Sequence, residues 1–150
     1  MRRRSARRLF AILVLSLPLV TAVASASAGA GSSIALGSNA FAKPDGEGWG
    51  AARPARIYNG GDPSGRVTEI QWTSWGGGVA IGYGLGSIFK PGGGYYGRPV
   101  LVELRAQRLG RCGSQRAYTQ LAIRSPPKPE ASVGSWHLWS DAKSLCNFGF

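Results

Sequence analysis

The run of residues 79–84 constrains the fold more than any other part of the chain. In it, valine, isoleucine and tyrosine alternate with alanine and two glycines. Successive side chains of a β-strand point to opposite faces, so the run predicts a strand with large side chains on one face and almost none on the other. The bare face needs a cover, and the indole of Trp72 or Trp75 is the predicted one. The chain is therefore expected to fold as a β protein in which aromatic rings pack against glycine.

Regular alternation of apolar and polar residues predicts further strands. It is clearest over 100–106 and 117–123, which are expected to form an antiparallel hairpin joined by a polar connection at 107–115. Shorter strands are predicted at 55–58, 67–75 and 135–140, with a helical turn at 141–146. With 23 glycines and no sustained helical period, the chain is predicted to be all-β, as a small antiparallel sandwich or barrel with one disulfide.

The N-terminus has the pattern of an export signal. Five arginines within residues 2–8 precede an uncharged apolar run at 9–23, and small residues follow at 24–28. This order is typical of a cleaved secretory signal peptide, with cleavage expected after Ala26 or Ala28. General secretion is favoured over twin-arginine export. The predicted location is extracellular or associated with the cell wall, with no transmembrane segment in the mature protein.

The remaining chain is divided by composition into two parts. Residues 29–50 are rich in glycine, alanine and serine and contain few large apolar side chains, so they are predicted to form a flexible segment. Residues 51–150 are predicted to form a single β-rich domain. A mature chain of about 122 residues can bury a core of its own but leaves no room for two domains.

Cys112 and Cys146 are the two cysteines of the chain. An even number of cysteines in an exported protein predicts a disulfide between them. Two thiols this far apart in sequence, in a chain with one histidine, do not favour a metal site, and no sequence pattern indicates a cofactor.

Charge favours anionic partners. Five of the 18 lysines and arginines lie in the leader, so the mature chain keeps 13 basic residues against 7 acidic ones. Four of the basic residues are grouped around the predicted hairpin: Arg105, Arg108, Arg111 and Arg116. Guanidinium groups bind oxyanions in a forked geometry, so these four form a candidate anion-binding site. A solvated loop with dispersed charges is the alternative. Specific nucleic-acid recognition is not predicted.

Five tryptophans are many for a chain of this size. Exposed indoles stack on sugar rings, whereas buried ones fill the cores of small β proteins. The alternation assigns Trp72 and Trp136 to the core and leaves Trp75 and Trp139 as candidate aromatic binding residues.

Sequence motifs for catalysis are missing. The chain has neither a Gly-x-Ser-x-Gly nucleophile motif nor a phosphate-binding loop, so no catalytic residue is assigned. The lone His137 is expected to be an outward-facing strand residue. Glu69 and Glu103 would form a hydrolytic carboxylate pair only if their strands paired directly. Whether the protein is an enzyme stays open, with a non-catalytic role favoured.

Several segments resemble a known group of proteins. They are residues 60–65, the Trp-x-x-Trp-Gly-Gly element within 70–77, residues 80–84, Cys112-Gly113 and Ala117-Tyr118. Together they resemble uncharacterised small secreted proteins of high-GC Gram-positive bacteria. The resemblance implies export and a bacterial origin and brings no assigned activity.

These observations favour a secreted, basic, disulfide-bonded β domain that binds an anionic or carbohydrate polymer of the cell envelope without turning it over. Two alternatives stay open. One is a small secreted hydrolase of envelope polymers. The other is an inhibitor that acts on another protein through an exposed loop at 91–97.

Overall fold

The computed structural model describes residues 33–147, and the predicted signal peptide at 1–28 lies outside them. The described chain is all-β, as predicted, and forms one curled sheet with the shape of a half-barrel. The strands are β1 (Ala35–Leu36), β2 (Ile57–Tyr58), β3 (Arg66–Trp72), β4 (Ala80–Gly86), β5 (Val100–Cys112), β6 (Gln115–Arg124) and β7 (His137–Leu138). Their order is β1-β6-β5-β4-β3-β2, and β7 also pairs with β6. None of the helical segments within residues 33–147 has the length and hydropathy needed to span a bilayer.

The hairpin of β5 and β6 is the longest element pair of the sheet. The inward side chains at 100, 102, 104 and 106 are buried, as their alternation predicted. The prediction of a polar connection at 107–115 is wrong, because the pairing of β5 with β6 continues to Cys112, which lies opposite Gln115. Gly113, with φ of 64°, allows the tight turn between them. Most side chains of this stretch face solvent and are polar. A polar stretch with glycines is typical of a loop, and for this reason the sequence did not predict a strand here.

The bare face of β4 is covered as expected. A Cβ placed on Gly82 would lie 2.9 Å from the ring of Trp72, and one on Gly84 would lie 2.6 Å from Val67. The large side chains of β4 point outward, and Val79 and Tyr83 are exposed. Glycine in this strand therefore makes room for β3 to pack closely over the inside of the sheet.

A β-bulge shifts the alternation within β3. Thr68 pairs with Leu85 and Gln71 with Tyr83, so two residues of β3 oppose Gly84. Glu69 lies in the bulge with φ of 54°. The extra residue lets Val67 and Ile70 both face the core although they are three positions apart.

The segment 33–50 is part of the packed domain, so the prediction of a flexible stretch is wrong for these residues and the domain starts before residue 51. Residues 29–32 of the predicted stretch lie outside the described residues. β1 pairs in parallel with β6, and Leu36, Phe41 and Trp49 are buried in the core. The large apolar residues of this segment are few, but those three all lie in the core, and this offsets the ordering cost that its composition suggested.

Residues 47–51 bridge the two edges of the half-barrel. Glu47 forms a two-way backbone bridge with Tyr58 of β2, with N···O distances of 3.0 and 3.1 Å. Leu36 of β1 accepts from the amide of Gly50 and donates to the carbonyl of Ala51, both at 2.8 Å. The gap between β1 and β2 is therefore closed by main-chain hydrogen bonds.

The outer edge of β6 is covered by both ends of the described chain. β1 pairs with residues 117–118 of β6, and β7 pairs with residues 122–123. Between them, the amide of Leu145 donates to the carbonyl of Thr119 at 2.8 Å. The predicted last strand at 135–140 is thus shorter than expected, and a 3-10 turn at Trp139–Asp141 replaces the helical turn predicted at 141–146.

The predicted disulfide is present. Cys112, at the end of β5, is bonded to Cys146 with a Cα–Cα distance of 5.0 Å. The bond ties the C-terminal segment to the turn of the β5–β6 hairpin.

Candidate functional site

One end of the half-barrel contains a cavity of about 430 Å³, called here the end cavity. Because neighbouring strands are antiparallel, the start of β3, the end of β4, the start of β5 and the end of β6 meet at this end. The loops that extend from these strand ends form the walls together with residues 137–141. Its size is within the range of cavities that hold small ligands or one segment of a polymer.

The lining combines hydroxyl groups with apolar side chains. Four serines are among the lining residues: Ser64, Ser87, Ser125 and Ser140. Oγ of Ser64 donates to the Asp62 carboxylate, and Oγ of Ser140 accepts from the Asn59 side chain. Apolar side chains from each wall, such as Ile88, Val102 and Leu138, lie between them. Besides His137, the charged side chains of the lining are one arginine and one aspartate, Arg66 and Asp141. The arrangement offers hydrogen bonds and apolar contact in the same space with little net charge.

Asn59 joins two walls of the cavity. Its side-chain amide donates to Oγ of Ser140, and its Oδ1 accepts from Nε1 of Trp139 at 2.8 Å. Asn59 itself lies in the β2–β3 loop, where its backbone amide donates to the carbonyl of Gly65 at 2.9 Å. The position of residues 139–140 is therefore set by a residue about 80 positions earlier in the chain.

Two of the seven non-glycine residues with positive φ in the described chain lie at the same wall. Ser140 and Asp141 have φ of 50° and 51°, so two consecutive non-glycine residues occupy the left-handed region. This conformation costs free energy for residues with a side chain, and strain of this kind is found preferentially at functional sites. Other contacts of the fold must therefore offset the free energy that this backbone conformation costs.

An aromatic pair lies at the rim of the end cavity. Phe89 lines the cavity yet is 60% exposed, and its ring meets that of Tyr95 edge-on at 5.0 Å. The Tyr95 side chain is also hydrogen-bonded to the carboxylate of Asp62, which accepts from the backbone amide of Ser64 at 2.9 Å. The β4–β5 loop is in this way connected to the β2–β3 loop across the rim.

The hydrogen bonds at Asp62 affect its ionisation. The Ser64 side chain, followed by that of Tyr95, lowers the pKa of Asp62 below the ordinary value of 3.8. Hydrogen bonds that favour the charged form lower a carboxyl pKa in this way. The carboxylate therefore stays charged to a lower pH than that of an isolated aspartate. The connection between the two loops is kept over the same range.

Of the four predicted anion-binding arginines, the structure places Arg111 opposite Arg116 near the turn of the hairpin and puts Arg105 away from them. Arg105 lies with its guanidinium 4.6 Å from the centre of the Trp136 ring, in the middle of β5. Arg111 and Arg116 are directly opposite each other near the turn of the hairpin, and Arg108 is exposed three residues before Arg111. All four are outside the lining of the end cavity.

Two tryptophan predictions are wrong. Trp139, a candidate for exposed binding, is only 2% exposed, because its ring packs in the core and its Nε1 is bonded to Asn59. Trp136, assigned to the core, is half-buried against the guanidinium groups of Arg105 and Arg124. A 3-10 turn begins at Trp139 and ends the alternation on which both assignments depended.

Trp75, the other aromatic candidate, is half-buried away from the end cavity. Its Nε1 donates to the carbonyl of Ile34 at 3.0 Å, and its ring contacts those of Trp72 and Tyr118. These contacts assign it a packing role. Sequence reasoning missed Phe89 and the serines, since each belongs to a different segment and carries no motif.

The strands of Glu69 and Glu103 do not pair directly, so the condition for a hydrolytic carboxylate pair is not met. β4 lies between the strands of Glu69 and Glu103, and Glu103 forms an ion pair with Arg124 at 2.6 Å. His137 is exposed, as expected, and lines the end cavity. Within residues 33–147, no cluster of three histidine, cysteine, aspartate or glutamate side chains is arranged to hold a metal ion.

Comparison with family models, with curated proteins and with solved structures gave no match for this chain. The resemblance to small secreted proteins of high-GC Gram-positive bacteria therefore stays a prediction. The chemistry of the end cavity has to be interpreted from its own residues.

Proposed function

We propose that this protein is an exported, non-catalytic binding domain whose end cavity takes a carbohydrate segment of the cell envelope. The observation that carries the proposal is the lining of the cavity, which combines four serines with apolar residues. A sugar ring presents the same combination, with hydroxyl groups at its edge and C–H groups on its faces.

Charge favours a carbohydrate over an anion in this cavity. Arg66 and Asp141 are of opposite sign, and the guanidinium of Arg66 already lies 4.2 Å from the centre of the Tyr58 ring. A strongly anionic ligand would find no excess of positive charge there, whereas a neutral polyhydroxylated ligand requires none.

The exposed ring of Phe89 supports the same ligand class. An aromatic ring at the rim of a cavity can stack on the apolar face of a sugar that extends outward. Phe89 is 60% exposed, so its ring is accessible to a ligand that leaves the cavity. A polymer chain with one segment in the cavity would place the next segment near this ring.

The test is a pull-down of the mature chain, starting near Gly29, on purified cell-wall glycan at about 0.5 M salt, where exposed charges are strongly screened. We expect the wild-type protein to be retained and Phe89→Ala to lose most of the retention. Leu101→Ala is the matched control, because Leu101 is 58% exposed and is outside the cavity lining.

Equal retention of Phe89→Ala and wild type at that salt concentration would overturn the proposed role of the cavity rim. Retention of the wild type only at low salt would show that the basic surface binds instead. If wild type is not retained at any salt concentration, the carbohydrate proposal fails. The exposed loop at 89–94 would then become a candidate contact for a protein partner.

A further inference from the structure

The turn end of the β5–β6 hairpin, residues 107–116, carries three arginines and contains no acidic residue. Arg108, Arg111 and Arg116 are all exposed, and Arg111 is directly opposite Arg116 in the strand register. Like charges at opposite positions of a sheet are destabilising. Neutral side chains at positions 111 and 116 would avoid this repulsion, yet both positions are arginine.

Acidic side chains are missing from this region of the sequence. No aspartate or glutamate occurs between Leu104 and Pro129. The ion pairs found within residues 33–147 use other arginines, namely Arg56, Arg98 and Arg124.

Neighbouring segments add positive charge to the same end. The side-chain amide of Gln115 donates to the carbonyl of Gly50 at 3.3 Å, and the loop that follows leads to the exposed Arg53. The side chain of Gln120 donates to the carbonyl of Lys143 at 3.1 Å, and Lys143 is exposed as well. Both segments that carry these cations are therefore hydrogen-bonded to β6.

The backbone under these arginines is well constrained. The disulfide from Cys112 to Cys146 anchors the turn, and Nη1 of Arg111 donates to the carbonyl of Ser114 at 2.8 Å. A constrained surface loses less conformational entropy when it binds than a flexible loop does. Guanidinium groups also match the geometry of phosphate oxygens, to which they donate two parallel hydrogen bonds.

We propose that this hairpin end is a second binding surface, for a base-free polymer of the cell envelope that carries phosphodiester groups. Single-stranded nucleic acid is the less favoured polyanion. Its non-specific binding relies on aromatic side chains on which bases stack, and residues 107–116 contain no aromatic residue. The charged groups of the surface fit a polymer that offers phosphates alone.

The two proposed surfaces are separate. β5 starts beside the end cavity and ends at Cys112 beside the arginines, and its 13 residues span about 40 Å at about 3.3 Å per residue. A polymer bound at one end therefore does not obstruct binding at the other. The second proposal shares with the first the premise that the protein is exported, and it does not depend on the ligand of the end cavity.

The test measures binding of the mature, oxidised protein to inorganic polyphosphate as a function of salt concentration. Arg111→Gln combined with Arg116→Gln is expected to weaken binding at least tenfold. It is also expected to lower the slope of log K against log salt by about 1.4, since each phosphate contact contributes roughly 0.7 on a single strand. Lys90→Gln combined with Lys128→Gln is the control, because it removes the same charge from exposed residues outside the hairpin.

Equal weakening by both double variants would overturn the proposal, because net charge alone would then explain binding. Tighter binding of wild type to single-stranded poly(dT) than to polyphosphate would overturn the assignment to a base-free polymer. Thermal unfolding checks that the hairpin variant is folded, and removal of the repulsive pair should not lower its stability. Phe89→Ala should bind polyphosphate like wild type, which distinguishes this test from that of the end cavity.

Discussion

Asp62 links two of the loops around the end cavity, and the hydrogen bonds that it accepts lower its pKa. Its carboxylate accepts from both the backbone and the side chain of Ser64 and is hydrogen-bonded to Tyr95. These bonds stabilise the charged form in the folded state and lower its pKa below 3.8. Their contribution to stability is present above the ordinary pKa of an aspartate and is lost as the pH falls through the lowered value.

The first prediction concerns this pKa. In an NMR titration that follows the side-chain carboxyl carbon, Asp62 of the wild type should titrate below 3.8. Ser64→Ala should move the midpoint back toward that value, because the largest cause of the shift is removed. Ser87→Ala, which alters another serine of the cavity lining, should leave it in place. An unchanged midpoint in Ser64→Ala would show that Ser64 is not the cause.

At the scale of elements, the glycines of β4 determine how closely β3 can pack. A Cβ on Gly84 would lie 2.6 Å from Val67 and 2.8 Å from the carbonyl oxygen of Thr68. The carbonyl cannot move without disturbing the ladder that β3 forms with β4. Position 84 is therefore intolerant of even the smallest side chain.

The second prediction follows from this contact. Gly84→Ala should lower the free energy of unfolding by about 1–3 kcal/mol, the range for forcing extra volume into a packed core. Gly78→Ala is the control, since nothing lies within 4 Å of the Cβ position there and its φ is outside the left-handed region. Urea unfolding followed by tryptophan fluorescence measures both. Similar stabilities of the two variants would contradict the packing argument.

Elements differ in how well their sequence predicts them. β4 and the first half of β5 were predictable because one face is buried and the other is not, which leaves an alternating pattern. The end of β5 was missed because its arginines and glutamine resemble a loop. β1 was missed since two residues cannot show a period, and its pairing with β6 joins segments about 80 positions apart.

At the scale of the whole molecule, the end cavity could not be predicted from the sequence, because it is formed by residues that are distant along the chain. Its walls come from five separate parts of the chain, and the bulge at Glu69 and the turn at 139–141 reset the alternation in two of them. The arginine pair at the hairpin end was more accessible, because a hairpin places residues near its turn opposite each other.

The third prediction concerns the disulfide as a constraint on the whole chain. Replacing Cys112 and Cys146 by serine should lower the free energy of unfolding by roughly 3–4 kcal/mol, since a closed loop with a sequence separation of 34 residues becomes free in the unfolded state. Urea unfolding of the double variant and of the oxidised wild type measures the difference. A loss below about 1 kcal/mol would show that the unfolded chain is little restricted by the bond.

The coverage of β6 by both ends of the chain has a consequence for the order of folding. The hairpin of β5 and β6 is built from neighbouring segments, so it can form before residues 137–145 have packed against it. The part of the β6 edge that β7 and Leu145 later occupy is then open, and an unpaired edge is a template for strands of other molecules. The chain is thus exposed to aggregation at this edge until residues 137–145 have packed against β6, and their packing removes that risk.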